Sequence, residues 1–183
     1  MPEWLQVVGQ IILGAGLLSA VITYVLREYE QVRQRRRELR GLLRLIAGEI
    51  ARNINTLKGY EKAPQAIARS LETILNTRDW DENRVRLAQL MKSGERFDKL
   101  FTYYHVTALM EDSQLWKLIS EEEEESKEYE KGFYAHIALN RRAARTAYGA
   151  IEKELEQAGF NSDEIRKLEK ELPEPDASEN NDE

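Results

Sequence analysis

The chain has 183 residues, with 33 acidic against 27 basic side chains and a formal charge of −6. That balance argues against nucleic acid as a partner, because such binding rests on neutralising phosphates. The sequence holds no cysteine, which excludes disulfides, thiolate zinc sites and a cysteine nucleophile.

Residues 4–26, WLQVVGQIILGAGLLSAVITYVL, contain no charge and end abruptly at Arg27. About 20 apolar residues at about 1.5 Å each cover a hydrocarbon core of about 30 Å, so the run predicts one transmembrane helix after a short extracytoplasmic segment, 1–3. A cleavable signal peptide fits less well: Met-Pro-Glu supplies no basic n-region, and the apolar run continues beyond Ser19-Ala20. Basic residues come only after the run, as Arg27, Arg33, Arg35, Arg36, Arg37 and Arg40. That asymmetry predicts an outside N-terminus and a cytoplasmic bulk at the cell (inner) membrane. The same arginines, in a juxtamembrane helix over 27–40, suit anionic lipid headgroups at about 1 kcal/mol each. Within the anchor, Ala15 with Ser19 and Gly16 with Ala20 form overlapping small-xxx-small pairs, a pattern that predicts weak homodimerisation through the helix.

Beyond the anchor, 41–172 is expected to form one all-α cytoplasmic domain of four to six helices. Leu39, Leu43, Ile46, Ile50, Ile54 and Leu57 recur at helical steps, with Leu42 and Leu45 widening the stripe. Asn53 falls inside that stripe, where a buried polar side chain needs a partner or costs about 1–3 kcal/mol. The turn near Asp79-Trp80 is the expected partner. A second helix is expected from Pro64, carrying Ile67, Leu71, Ile74 and Leu75. Asp79 and Glu82 have capping-box spacing for a third, with Trp80, Leu87, Leu90 and Met91. A fourth carries Phe97, Leu100, Phe101, Tyr104, Ala108, Leu115, Trp116 and Ile119. Ser120 and Glu123 then open a long helix through Phe133, Ile137, Asn140, Ala144, Ala147, Ile151 and Leu155, with Gly159 as its stop. Asn161 and Glu164 cap a short last helix, and the acidic segment 173–183 is expected to be disordered.

Around Glu49-Ile50-Ala51-Arg52-Asn53 and the helix-opening Trp80, the chain resembles uncharacterised bacterial single-pass membrane proteins. Those combine an N-terminal anchor, a Glu-Ile-x-x-Asn-like helix and a Trp at the start of a later helix. The resemblance implies an architecture and a bacterial origin, and no activity.

Catalytic patterns are missing. No Gly-Lys-Ser/Thr follows Gly14 and Gly16, and neither His105 nor His136 has a glutamate three residues before it. Asp98 shares a helix face with His105, and Arg141, Arg142 and Arg145 read as a solvated face. Neither group predicts catalysis, and no metal or cofactor is expected. The sequence therefore points to a membrane-anchored helical interaction or scaffold module, with the lipid bilayer and an unidentified protein as partners. A stalk-like subunit resembling subunit b of ATP synthase wants one long heptad helix, which Pro64, Asp79 and Ser93-Gly94 interrupt. A small membrane effector or enzyme with an unrecognised site is the other alternative.

Overall fold

The computed structural model describes the backbone of residues 3–62, 75–112 and 126–170, and the side chains of 18–59, 75–110 and 131–170. Among these the architecture is all-α, in five helices: α1 (Glu3–Lys62), α2 (Arg78–Leu90), α3 (Gly94–Asp112), α4 (Ser126–Gln157) and α5 (Asp163–Lys170). The chain divides into two compact units, Met1–Glu38 and Leu39–Glu183.

In the first unit, Leu18, Val21, Ile22, Tyr24, Val25 and Leu26 are each more than half exposed. Among the described residues no helix is long and apolar enough to cross a membrane. Most of the apolar run, 4–17, lies outside the described side chains. The second helix expected from Pro64, the Ser120–Glu123 start and the tail 173–183 also lie outside the described residues.

The second unit holds the core. Leu39, Leu43, Ile46, Ile50, Ile54 and Leu57 of α1 are all buried, together with Ala47. Steps of three and four place them on one side of the helix. They join Trp80 and Leu87 of α2, Leu100, Tyr103 and Tyr104 of α3, and Ile137, Ala144, Tyr148 and Ile151 of α4 in one cluster. Tyr148 spans the core and donates its hydroxyl to the Ala47 carbonyl at 2.8 Å. Leu45 is half exposed instead of widening the stripe, as are Phe101 and Leu109 on α3.

α4 ends in a Schellman arrangement. Gly159 takes φ +81°, a conformation that favours glycine. The Phe160 N–H donates to the Leu155 carbonyl and the Gly159 N–H to the Glu156 carbonyl, both at 2.9 Å. The chain then turns into α5. Asn161 Oδ1 accepts the Asp163 N–H at 2.9 Å, and Glu164 pairs with Arg44 on α1 at 2.6 Å. Replacing Gly159 with Ala forces a Cβ into the left-handed region with no new contact to offset it, since a Cβ there meets nothing within 4 Å. Gly159→Ala is expected to lower stability by about 1 kcal/mol in urea titration; an unchanged midpoint would show that this turn contributes nothing.

Candidate functional site

Glu49 and Asn53 stand one turn apart on α1 and are both buried. Each binds the entry to α2. Glu49 Oε2 accepts the Asp79 N–H at 2.6 Å, while Oε1 accepts the Trp80 N–H at 3.3 Å and the Tyr104 hydroxyl at 2.6 Å. The first N–H groups of a helix have no acceptor within it. Here every one is accounted for: Arg78 N–H donates to Asn76 Oδ1, Asp79 and Trp80 to Glu49, and Asp81 to the Thr77 carbonyl. A carboxylate at this end also meets the positive pole of the helix dipole.

This geometry corrects the expected local capping box. α2 begins at Arg78, with Thr77 in the N-cap position and no side-chain cap of its own. Asp79 thus falls within the first turn, and Glu82 pairs with Arg78 at 2.8 Å. The cap comes from Glu49, on another helix.

Asn53 pairs with the Asn76 backbone in both directions. Its Oδ1 accepts the Asn76 N–H and its Nδ2 donates to the Asn76 carbonyl, each at 2.8 Å, with a further donation to the Tyr103 hydroxyl at 3.3 Å. Arg52 reaches Asp79 at 2.9 Å on the outer side. Trp80 then lies flat on Tyr104, with ring centroids 4.5 Å apart and an interplanar angle of 7°, and stacks on Phe97 at 5.5 Å. Such pairs add about 0.5–1.5 kcal/mol beyond their burial.

Burial pushes the Glu49 carboxyl above the ordinary range; the Tyr104 and Asp79 donors oppose that rise and the Asp79 charge adds to it. Burial raises Tyr104 too, reinforced by its bond to Glu49. It lifts Tyr103 to about 12, against the Asn53 hydrogen bond. A general acid or base must reach a substrate proton. Glu49 is fully buried and already holds three donors, so this constellation fastens helices.

A second buried carboxylate works alike. Glu154 on α4 accepts the Lys92 N–H, from the α2–α3 connection, and Arg96 Nη1, both at 2.8 Å. Thr107 donates to the Tyr103 carbonyl and accepts Asn140 Nδ2, each at 3.0 Å. Glu154, Tyr104 and Tyr148 were not singled out by sequence as polar anchors. The available signal was a polar group at a core position, as Glu154 is between Ile151 and Leu155.

The remaining candidates lie elsewhere. Arg27, Arg33, Arg35, Arg36 and Arg37 are exposed on α1. Arg40 belongs to the second unit, its guanidinium carbon 4.9 Å from the Phe160 ring centroid. Ser19 and Ala20 are exposed, and the side chains of Ala15 and Gly16 lie outside the described set. His105 is exposed and stacks on Phe101 at 6.4 Å, while His136 is half-buried. Arg141 and Arg145 each have partners within the chain. Among the described residues no group of three or more His, Asp or Glu side chains is placed to hold a metal ion.

No protein-family model, curated protein or solved structure matches this chain.

Two outcomes follow from the fastening geometry. Because Glu49 is raised by folding, the folded state holds its proton more tightly than the unfolded chain does. Its contribution is therefore greatest below the unfolded value, 4.5, and is lost as pH rises to the higher folded value. Glu49→Gln is expected to lack that falling segment, so the stability difference between wild type and variant declines as pH rises through it; parallel curves would count against it. Asn53→Leu strands both Asn76 backbone groups and should cost about 1–3 kcal/mol by chemical denaturation.

Proposed function

We propose that the protein is a membrane-anchored helical interaction or scaffold module that works at the cytoplasmic face through protein contacts. The observation that carries this reading is the charge-free run at 4–26, closed by Arg27 and followed by Arg33, Arg35, Arg36 and Arg37. In its described part, Leu18, Val21, Ile22, Tyr24, Val25 and Leu26 are exposed. At about 100° per residue these six cover more than half of the helix circumference. A helix that is apolar round most of its surface belongs in lipid or in a large core, since each Å² left in water forgoes about 25 cal/mol. The arginine excess on one side supports the orientation and supplies attraction to anionic headgroups.

The scaffold part of the reading rests on how the second unit spends its buried polar groups. Glu49, Asn53, Thr107, Asn140 and Glu154 are buried and bonded to other helices or to the turns between them. Such a unit holds its outer surface in a fixed arrangement, which suits presenting contacts to a partner protein.

The absence of native cysteine makes the topology directly testable. Single cysteines at Glu3 and Glu179, probed with an impermeant maleimide in intact cells, are expected to label at position 3 only. Labelling at position 179 alone would reverse the orientation. Labelling at neither, with the protein recovered in the soluble fraction, would remove the anchor from the proposal.

A further inference from the structure

A cleft of about 380 Å³ opens between the start of α3 and the facing side of α4. Ser93, Glu95, Arg96 and Lys99 line one side; Thr146, Gly149 and Lys153 line the other. Three cations around one cleft are a local exception in a chain of formal charge −6. They act together on the one carboxylate at the rim: the Lys99 hydrogen bond first, then the charges of Lys153 and Arg96, hold Glu95 below its ordinary value.

Arg96 is the built part of the cleft. Its Nη1 alone donates to the Lys153 carbonyl, Glu154 Oε2 and Gln157 Oε1, at 3.3, 2.8 and 2.6 Å. The guanidinium is thus fixed through one nitrogen, and its side chain is 24% exposed. Nε and Nη2 carry no hydrogen bond among the described residues, so both donors remain available to a ligand. Lys153 has no ion-pair partner among the described residues. Lys99 is tied only to Glu95, at 2.7 Å, by an i,i+4 pair whose acid is 80% exposed, and such pairs contribute little and exchange readily. Gly149 adds room: glycine inside a helix costs about 1 kcal/mol relative to Ala, yet a Cβ there would meet nothing within 4 Å. Packing does not require the glycine, and a larger side chain would occupy the cleft.

We propose that this cleft binds a phosphoryl-bearing anion, with Arg96, Lys99 and Lys153 as its charged contacts and the Ser93 hydroxyl at its edge. A guanidinium fork beside two ammonium groups suits an anion with several oxygens and more than one charge, which a phosphoryl group offers and a carboxylate does not. A free phosphate compound and a phospholipid headgroup share that chemistry.

The test is amine footprinting on the full chain in non-ionic detergent, read by mass spectrometry. Inorganic pyrophosphate is compared with sodium chloride at equal ionic strength, and phosphatidylglycerol with phosphatidylcholine in mixed micelles. Acylation of Lys99 and Lys153 is expected to slow, while the exposed Lys131 and Lys167 keep their rates. Protection by pyrophosphate assigns a soluble ligand; protection by phosphatidylglycerol alone assigns a headgroup. Gly149→Leu should abolish protection with a melting temperature equal to or above that of wild type. Lys153→Gln should weaken pyrophosphate binding about tenfold, the scale of one charged hydrogen bond. The proposal is overturned if neither probe protects, if all four lysines slow equally, or if protection survives in a folded Gly149→Leu.

Discussion

A carboxylate without solvent sets the terms for the second unit. Glu49 is fully buried, and an uncompensated charge in that position would cost several kcal/mol. It is tolerable only where donors converge on it, and those come from two other helices: the Asp79 and Trp80 amides and the Tyr104 hydroxyl. Placing Glu49 therefore fixes where α2 starts and which face α3 presents. The Trp80–Tyr104 stack follows from the same arrangement, since one carboxylate oxygen grips both the Trp80 backbone and the Tyr104 side chain.

Glu154 repeats the device at the far end of α2. There the carboxylate on α4 secures the Lys92 amide and Arg96, so both ends of α2 are fastened by acids borne on other helices. This matters because α2 has only 13 residues, about the length at which an isolated helix is marginal in water. With only Trp80 and Leu87 fully buried on it, hydrophobic packing alone holds it weakly. Trans-capping supplies what length and burial do not.

Among the described residues, local sequence signals read the helices and most of the core well, and the fastenings poorly. The α1 stripe from Leu39 to Leu57 was visible because its period is intrinsic to the segment. Asn53 announced a need for a partner, because it interrupts that stripe. The identity of the partner, the Asn76 backbone, depends on how the chain returns after Lys62. The Asp79–Glu82 spacing pointed to a local cap for the same reason: spacing rules see only neighbours in sequence, and a cap delivered from thirty residues away leaves no local trace. Phe101 and Leu109 stand three residues from the buried Tyr104 and Val106 of α3, yet both fall well outside the arc of its buried face and are half exposed. Periodicity gives a face and leaves its width open. The converging cations of the Arg96 cleft were invisible because Lys99 and Lys153 sit on different helices that meet only in the fold.

The polar contacts also do something that the apolar stripes cannot. α3 and α4 pack antiparallel, with Thr107 meeting Asn140 in the interior and Arg96 meeting Glu154 near one end. Apolar side chains recur every three or four residues on both helices, so a slip by one turn would still bring leucines, alanines and aromatics together. It would also bury Asn140 and Glu154 against groups that cannot bond them, at about 1–3 kcal/mol for the amide and more for the acid. Buried polar groups are best attested in this role, choosing one register among several that hydrophobic matching permits. Asn140 shows that choice most plainly: its Nδ2 is satisfied by Thr107, while its Oδ1 has no partner among the described residues. A residue selected for stability alone would be apolar here. A half-satisfied amide makes sense where its bond to Thr107 fixes the alignment of the two helices, and with it the spacing of every side chain that lines the cleft between them.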